Sequence, residues 1–340
     1  MNFQFILEAG VNHDGDLSAA ISLIHEAATT GATAIKFQSY TANRIAALKS
    51  PSYWDLQEES TKSQRKLFEK YDNFKVEDYT LLKKECDKVG IEFMTTCFDE
   101  IWVDSLDPLL KRYKIASADI TNYQLLQHIA KKQKPIILST GAAKISEIDN
   151  AIKIIRSNSQ SEISILHCVL NYPTNAVNAN LGRITYLRSN YPNYKIGYSD
   201  HTKPSDSLTL IPAAFVLGST IFEKHFTLTK SKKGNDHYHS FDTNDVMECI
   251  SHLKRLNAAI NFDEHRFIEL QEKAIKFARR GLYAKVDIEP GKKIGNLDII
   301  SLRPISDDGI PASNFLNLIG KTAKRKIKAG MPFSIKDLQF

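Results

Sequence analysis

Short runs of hydrophobic residues alternate along most of the chain with segments whose hydrophobic residues recur every three or four positions. The runs predict strands and the spaced segments predict amphipathic helices. The first strand covers residues 3–9, and Asp16 is placed to cap the helix that follows, which Gly31 ends. The other predicted strands are residues 34–38, 92–96, 113–116, 135–139, 163–167, 195–199 and 221–226. The pattern gives eight strand–helix units, the last closed by a helix over residues 243–260.

Eight such units in roughly 250 residues match a parallel (β/α)8 TIM barrel. A doubly wound open sheet is the alternative, but it usually has fewer strands, and the chain has no Gly-x-Gly-x-x-Gly turn after its first strand. A long polar loop that contains aromatic residues, about residues 40–73, separates the second predicted strand from the next helical segment. The fold class predicted is therefore α/β, with the barrel as its main domain.

The pattern changes near residues 262–280, where a charged helical connector follows the barrel. The last sixty residues hold short β-like runs that are broken by Gly and Pro, which is typical of a small β-rich domain. We therefore predict a barrel over residues 1–262, a helical linker over residues 263–280 and a second domain over residues 281–340.

Composition excludes several functional classes. Hydrophobic residues make up 42% of the chain, and 45 Lys and Arg against 39 Asp and Glu give a formal net charge of +6. This mild excess attracts small anions but lacks the dense basic blocks of a nucleic-acid binder. The four cysteines form no CxxC pair, so a reducing cytoplasm is the simpler expectation. No signal peptide and no run of about 18 apolar residues is present, so we expect no membrane partner.

Polar side chains gather at the ends of the predicted strands, where barrel enzymes carry their chemistry. Lysines and hydroxyls together can bind phosphate and carboxylate oxygens, because lysine supplies charge and hydroxyls supply adjustable donors. The residues concerned are Lys36, Thr96, Lys114, Ser117, Ser139 and Ser199. A barrel lysine also pairs commonly with a carboxylate, and Glu8 and Glu223 are available for that simpler role.

Two histidines, His201 and His225, end the neighbouring seventh and eighth strands. Their imidazoles could share one divalent metal of the Mn, Fe, Co or Zn type and leave positions for water and substrate. The spacing forms no metal motif, and a single histidine is more often a packed core residue. His237 and His239 are alternative ligands, although histidines in loops are more often solvated.

Three carboxylates, Glu8, Asp119 and Asp236, could orient a polar substrate or move protons. Cys97 also lies near the strand ends, but no base stands beside it in the sequence, so a nucleophilic role is not favoured.

These residues occur in phrases that resemble the sialic acid synthase family, whose members are nonulosonate synthases. The phrases are EAGVNHDGD, IKFQSY, YKIASADITN, KPIILSTG, LHCVLNYPT, GYSDHT, EKHFTL and GNDHYHSFD. The C-terminal segments ARRGLYAKVDIEPGKKI, LRP and IGKTAKRKIKAGMPF resemble that family's antifreeze-like (SAF, β-clip) domain. The resemblance runs from about residue 3 to the end of the chain. It implies a TIM barrel followed by a small β-rich SAF domain.

The resemblance implies that the chain condenses phosphoenolpyruvate with an N-acylated hexose and water, giving a nine-carbon 2-keto acid and phosphate. The implied phosphoenolpyruvate contacts are Glu8, Lys36, Thr96, Lys114, Ser117, Ser139 and Ser199. The implied metal ligands are His201 and His225, usually with manganese, and the implied sugar contacts are Gln38, Asp119, Tyr172 and Asp236. Members of the family form domain-swapped homodimers in which an arginine of the SAF domain, matched here by Arg303, caps the partner's barrel.

Among these residues, Glu8, Lys36, Lys114, His201 and His225 are the expected catalytic groups, with Glu8 the candidate for proton transfer. The chain also departs from the family. Asp119 stands where the family often has Glu, Leu170 where some relatives have Asn, and the segment after Arg303 differs from the common phrase. The acceptor therefore stays open between N-acetylmannosamine and the diacetamido-trideoxyhexoses that lead to legionaminic- or pseudaminic-type acids.

Two functions other than a synthase are also compatible with these residues. Lys36 could form a Schiff base in a class I aldolase, which would need no metal. The chain could also be a sugar- or surface-binding protein built around the SAF domain, with a silent barrel. The many charges of the C-terminal region, including Lys292 and Lys326, indicate a solvated or anion-attracting face rather than an ice-binding one.

Overall fold

In the computed structural model of the chain, residues 3–234 and 236–339 are described. The chain divides after Ile260 into two compact units, a large N-terminal one and a small C-terminal one that begins at Asn261. The large unit carries the parallel sheet and the small unit carries two short antiparallel sheets.

The large unit is the predicted parallel β/α barrel. Its strands are β1 (Gln4–Gly10), β2 (Ala34–Ser39), β3 (Glu92–Cys97), β4 (Tyr113–Ile115), β5 (Ile136–Ser139), β6 (Ile163–Cys168), β7 (Lys195–Asp200) and β8 (Ile221–His225). They are hydrogen-bonded in the order β3-β2-β1-β8-β7-β6-β5-β4. Strands β3 and β4 stand at the two ends of this order and also lie side by side, which brings the sheet round into a barrel. All eight predicted strands are confirmed, with no end displaced by more than one residue.

Helices follow the strands on the outside of the sheet. They are α1 (Leu17–Thr29), α2 (Ala42–Ile45), α3 (Gln64–Phe68), α4 (Val76–Val89), α5 (Glu100–Leu106), α6 (Tyr123–Ala130), α7 (Ile145–Arg156), α8 (Gly182–Asn190), α9 (Pro204–Val216) and α10 (Thr243–Ile260). The predicted cap of α1 is confirmed, because the Asp16 carboxylate accepts hydrogen bonds from the backbone N–H groups of Ser18 and Ala19.

The predicted loop over residues 40–73 is more ordered than the sequence indicated. It contains the two short helices α2 and α3, which pack against each other. The Ser63 side chain caps α3 by accepting a hydrogen bond from the backbone N–H of Lys66. Helices this short have little stability of their own and depend on their neighbours, which is why hydrophobic spacing did not reveal them.

Alternation along each strand decides which side chains enter the barrel. In β1, Phe5 and Leu7 belong to the hydrophobic core between strands and helices, whereas Ile6 belongs to a separate small cluster. That inner cluster also contains Ala34, Met94, Ile137, Leu166 and Ile221. Two residues further along β1, β2 and β8, the inward positions are polar: Glu8, Lys36 and Glu223. An apolar inner layer therefore lies below a layer of charged side chains.

Gly197 on β7 is required by the close approach of β8. A Cβ atom at this position would lie 2.3 Å from the carbonyl oxygen of Ile221 and 2.4 Å from the side chain of Leu166. Backbone cannot move away as a flexible side chain can, so any larger residue would push β7 from β8. The inward Ser199 and Glu223 depend on that spacing, since they are paired across these strands.

A buried ion pair lies on the outward face of β7 and β8. Lys224 Nζ is 2.8 Å from Asp200 Oδ2, and both side chains are fully buried. Asp200 also accepts hydrogen bonds from the hydroxyls of Tyr198, Thr202 and Ser207. The Asp200 carboxylate is thus surrounded by donors, which places this pair in the packing between β7, β8 and the segment leading into α9 rather than in the barrel interior.

The small unit contains α11 (Glu264–Glu269), α12 (Glu272–Ala278) and α13 (Phe315–Leu318). Its strands β9 (Gly281–Ala284) and β10 (Ile299–Leu302) pair antiparallel, as do β11 (Thr322–Ala323) and β12 (Leu338–Gln339). A core of its own, which includes Leu282, Ile288 and Phe333, holds these short strands together. The prediction of a small β-rich domain at this end of the chain is confirmed.

Among the described residues, we find no helix that combines the length and the hydropathy needed to cross a bilayer.

Candidate active site

A pocket of about 490 Å³ opens at the end of the barrel where the strands finish. The predicted donor, sugar and metal contacts of the barrel all line it: Glu8, Lys36, Gln38, Thr96, Lys114, Ser117, Asp119, Ser139, Tyr172, Ser199, His201, His225 and Asp236. Cys97 and the alternative ligands His237 and His239 are not among its lining residues. Side chains from all eight strands or the segments directly after them thus meet in one cavity. Arg303 is the exception, because it belongs to the small unit, where it is exposed.

Lys36 occupies the floor of the pocket between two carboxylates. It forms an ion pair with Glu8, and its Nζ lies 3.6 Å from Glu223 Oε2 and 3.2 Å from Thr96 Oγ1. Burial lowers the pKa of the Lys36 ammonium, but the charges of Glu223 and Glu8 outweigh burial and hold that pKa above its usual value. Lys36 is therefore a stable cation inside the barrel.

Lys114 reaches one of these carboxylates, Glu223, from β4. Its Nζ is 3.5 Å from Glu223 Oε1 and donates a hydrogen bond to the carbonyl oxygen of Ile115. Burial dominates here and lowers the pKa of Lys114 below its usual value. The same burial would raise the pKa of Glu223, but Lys114 and Lys36 bring it down to about 2. Glu223 is thus ionised and lies between the two lysines.

Glu8 differs from Glu223, because burial raises the pKa of its carboxyl above the usual value even though Lys36 opposes this. Its Oε1 accepts a hydrogen bond from Gln38 Nε2 at 3.0 Å. Of the two carboxyls on the pocket floor, Glu8 is the one whose pKa is raised, and a raised carboxyl pKa is a property of proton-transfer groups.

The predicted hydroxyls differ in whether they already form hydrogen bonds within the protein. Ser199 donates to Glu223 Oε1 at 2.9 Å, and Ser117 accepts from the Gly141 backbone N–H at 2.8 Å. Ser139 is buried, and its hydroxyl has no hydrogen-bond partner. A buried hydroxyl without a partner is uncommon in a folded protein. It marks a position in the pocket where a ligand oxygen would satisfy the serine.

The predicted sugar contacts lie nearer the mouth. Asp119 ends a short 3-10 turn after β4, and burial raises the pKa of its carboxyl. The Tyr172 ring packs 4.2 Å from the His201 ring, and its backbone carbonyl accepts a hydrogen bond from the Tyr238 hydroxyl. Tyr172 is therefore fixed from two sides.

The histidines form a cluster on one side of the pocket. The rings of His201 and His225 are 5.5 Å apart, as strand adjacency predicts. His201 Nδ1 lies 2.8 Å from the carbonyl oxygen of Val169, which fixes this ring and leaves Nε2 for a ligand. His225 Nδ1 is buried and without a hydrogen-bond partner, and it lies 3.3 Å from Asp236 Oδ2.

Potential metal-binding atoms in the described part of the chain come together at His225, Asp236 and His239, where one donor atom from each lies within 4.8 Å of the others. Imidazole nitrogens and a carboxylate oxygen suit a divalent transition metal, and the unpartnered ring nitrogens of His225 and His239 fit that use. The set shares His225 with the predicted pair, and it adds Asp236, which was predicted as a sugar contact, and His239, which was an alternative.

Several pocket residues were missing from the sequence-predicted site. Glu223 was considered only as a lysine partner, although its place two residues before His225 gives both the same face. Cys168 lies two residues after the inward-facing Leu166 on β6, so its side chain also points into the barrel. Burial alone would raise the pKa of its thiol, but the His201 ring, with Nδ1 3.7 Å from Sγ, holds that pKa below its usual value.

Other missing residues come from the segment between β2 and α4. Tyr53, Trp54, Gln64 and Tyr71 all line the pocket. No periodicity marks them, because the path of this segment over the barrel end depends on tertiary packing.

One wall of the pocket is aromatic. The Tyr40 ring lies 5.2 Å from Phe68 and 6.1 Å from Phe98, and all three residues line the cavity together with Ile45 and Leu67. This wall offers apolar contact opposite the charged floor, so the pocket is suited to a ligand with an anionic end and an apolar substituent.

The sequence and the fold match known proteins over nearly their whole length. The model of the NeuB family matches residues 23–264, and the model of the SAF domain matches residues 279–339. N,N'-diacetyllegionaminic acid synthase of Campylobacter jejuni is 34% identical, with 95% of this chain and 96% of that protein covered. Its namesake from Legionella pneumophila is 33% identical, with 96% and 91% covered. The crystal structure of N-acetylneuraminic acid synthetase from Leptospira borgpetersenii in complex with citrate matches with a TM-score of 0.69 and 32% identity, covering 80% of this chain and 91% of that one.

Proposed function

The chain belongs to the NeuB family, and from this we infer that it is an enzyme that condenses phosphoenolpyruvate with an N-acylated hexose and water. The products are a nine-carbon nonulosonic acid and phosphate. The observation that carries this proposal is the meeting of two lysines, two carboxyls and several hydroxyls in one pocket at the strand ends. A three-carbon donor with a phosphate and a carboxylate needs such donors from several directions at once.

Lys36 and Lys114 bind the two anionic groups of the donor in this proposal. Both ammonium groups already face carboxylates within 4 Å, so each is held in place before the donor arrives. Charge-assisted hydrogen bonds from lysines are the stronger kind, and the low dielectric of the buried floor strengthens them further. Ser139, whose hydroxyl lacks a partner, completes the donor subsite with Thr96, Ser117 and Ser199.

The reaction forms one carbon–carbon bond and breaks one carbon–oxygen bond. C3 of phosphoenolpyruvate attacks the aldehyde carbon of the open-chain sugar, whose oxygen gains a proton. Water adds at C2 and loses a proton, which leaves a hydroxyl on C2. The tetrahedral intermediate then releases phosphate by cleavage of the bond between C2 and the phosphate oxygen, and the C2 hydroxyl becomes the ketone as its proton goes to the departing phosphate. Glu8 is the group we propose for proton transfer, because its pKa is raised by burial and it is held by Gln38.

A divalent cation is also part of the proposal. His225 would hold it, with His201 from the neighbouring strand as the second ligand predicted by the family resemblance. When bound, such a cation makes an aldehyde more electrophilic by withdrawing electron density from its oxygen. The fixed His201 ring and the buried Nδ1 of His225, which faces Asp236 Oδ2 at 3.3 Å, are the features of this chain that support its binding.

We propose a diacetamido-trideoxyhexose as the acceptor in preference to N-acetylmannosamine. Such a sugar carries a second acetyl group and a methyl group where N-acetylmannosamine carries hydroxyls. The aromatic wall of Tyr40, Phe68 and Phe98 provides apolar contact for these groups. Burying a methyl group against these rings is worth about 0.8 kcal/mol. Two relatives named as N,N'-diacetyllegionaminic acid synthases support the same choice.

The test is a panel of acceptors with one donor. The protein is incubated with phosphoenolpyruvate, Mn²⁺ and, in separate reactions, N-acetylmannosamine, each available diacetamido-trideoxyhexose, or no sugar. Phosphate release is measured together with the product mass. We expect release only when a sugar is present and a larger kcat/KM for a diacetamido sugar. Release that needs no sugar, or none with any sugar, would contradict the synthase; a larger kcat/KM for N-acetylmannosamine would contradict the acceptor.

A further inference from the structure

His239 has an unusual position among the histidines around the pocket. It lies in a short 3-10 turn (His237–His239) after β8, its side chain is 0% exposed, and neither of its ring nitrogens has a hydrogen-bond partner. The turn's first histidine is different, because its Nδ1 lies 2.7 Å from the hydroxyl of Thr227. Buried polar groups are normally paired, so an unpaired imidazole requires an explanation.

The surroundings of His239 point to a cation. Its ring lies 4.9 Å from the His225 ring, and its Nε2 lies 3.7 Å from Asp236 Oδ1. The other oxygen of Asp236 lies 3.3 Å from His225 Nδ1. Asp236 thus sits between two imidazoles, and one donor atom from each of the three residues falls within 4.8 Å of the others.

We propose that His239 is a protein ligand of the divalent cation, which is held by His225, Asp236 and His239. The inference rests on the proposed function only in sharing its cation, since it concerns binding rather than turnover. Two imidazoles and one carboxylate on one side of an ion leave its other positions for further ligands, among them His201 Nε2, water and substrate.

The donor set predicts which metal the site prefers. Carboxylate and water oxygens suit Mn²⁺, and each added imidazole shifts relative affinity towards Fe²⁺, Co²⁺ and Zn²⁺. With His239 as a ligand, the site binds Co²⁺ more tightly than Mn²⁺ by a margin that depends on this residue. Loss of the imidazole therefore weakens Co²⁺ binding more than Mn²⁺ binding.

The decisive experiment is metal binding to the full chain without substrates. Metal-stripped wild type and His239→Gln are titrated with Co²⁺ and with Mn²⁺ by calorimetry, and the visible absorption of bound Co²⁺ is recorded. We expect the variant to lose at least tenfold in Co²⁺ affinity, to lose less in Mn²⁺ affinity and to change its Co²⁺ spectrum. The matched control is His252→Gln, a partly exposed histidine on α10, which should change neither affinity nor spectrum. Unchanged Co²⁺ affinity and spectrum in His239→Gln would overturn the proposal.

A second measurement uses the wild type alone and so does not depend on how the variant folds. Crystals of the full chain are soaked in Co²⁺, and anomalous scattering locates the ion. We expect the ion within about 2.3 Å of a His239 ring nitrogen, in the range of metal–imidazole bonds. An ion bound only by His201 and His225 would reject the role of His239 and leave the proposed synthase intact. If the ion is bound by His239 but the protein releases no phosphate with any sugar, the proposed synthase activity is rejected and the proposed metal site is retained.

Discussion

Lys114 and Glu223 meet across the interior of the barrel, with Nζ and Oε1 3.5 Å apart, although they stand on the fourth and the eighth strands. Both are buried, and the pair lies beside Lys36, whose Nζ is 3.6 Å from the other oxygen of Glu223. Glu223 is held ionised by the two lysines and in turn compensates their charge. An anionic donor bound at this floor would interact with both lysines, whose positions are already fixed. Its charge would then compensate part of the lysine charge that Glu223 compensates in its absence.

Replacing Lys114 should therefore damage binding of phosphoenolpyruvate more than binding of the sugar. A hydrogen bond to a charged group contributes about 1.5–3 kcal/mol, which corresponds to about ten- to a hundredfold. We expect Lys114→Met to raise the KM for phosphoenolpyruvate by that factor with little change in the KM for the acceptor. The control is Lys195→Met, since Lys195 is exposed and paired with exposed Glu162. A variant with unchanged donor KM would show that Lys114 does not contact the donor.

The buried pair on the outward face of β7 and β8 makes a separate prediction about stability. Asp200→Asn leaves the Lys224 ammonium without its counter-charge at a fully buried site. Breaking one side of such a pair costs about 3–5 kcal/mol in the free energy of unfolding. Denaturant unfolding at pH 7 measures this loss. The control, Glu162→Gln at the exposed pair with Lys195, should cost about 1 kcal/mol or less.

The effect of Asp200→Asn should also depend on pH. Lys224 and the surrounding hydroxyls outweigh burial and hold the pKa of Asp200 well below its usual value. A carboxyl whose folded pKa is depressed stabilises the fold above its unfolded pKa of about 3.9 and loses that contribution as pH falls through the folded value. The stability difference between wild type and Asp200→Asn should therefore be constant from about pH 5 to 7 and shrink below about pH 4. A difference that grows on acidification would contradict this assignment.

The eight strands were predictable because each carries a hydrophobic run of the right length, and strand parity then placed residues such as Lys36 and Gln38 on one face. That Lys114 and Glu223 meet was not predictable, because it depends on closure of the barrel rather than on any local pattern. Tyr53 and Trp54 were missed for a related reason, since the segment that carries them has helices too short to produce a periodic signal.

The histidine cluster contains one relationship that the sequence predicted and one that it did not. Adjacency of β7 and β8 predicted that His201 and His225 would be neighbours, and their rings are 5.5 Å apart. His239 follows the end of β8 by fourteen positions, in a short 3-10 turn, and sequence spacing indicated it only as an alternative ligand. Its burial beside His225 becomes visible only when the chain after β8 folds back over the barrel end, where Phe241 bridges to Phe226.

Metal removal separates the synthase from the Schiff-base aldolase. The ammonium of Lys36 is paired with Glu8, and its pKa is raised, so it is a poor nucleophile compared with the depressed lysines that form Schiff bases. We expect EDTA to abolish turnover, Mn²⁺ or Co²⁺ to restore it, and borohydride with pyruvate to leave Lys36 unmodified in the mass spectrum. Full activity in EDTA together with a trapped adduct on Lys36 would favour the aldolase instead.

Arg303 provides the test of the domain-swapped dimer implied by the family resemblance. It is exposed in the small unit, so its truncation should not unfold the chain. If Arg303 completes the partner's pocket on the sugar side, Arg303→Ala raises the KM for the acceptor and leaves that for phosphoenolpyruvate nearly unchanged. Mixing this variant with Lys114→Met under conditions that exchange subunits then creates heterodimers in which one pocket carries both defects and the other carries neither. Random exchange of equal amounts makes half of the dimers mixed, so about a quarter of wild-type activity should return. Arg303→Ala mixed with itself is the control, and no recovery after demonstrated exchange would mean that each chain completes its own pocket.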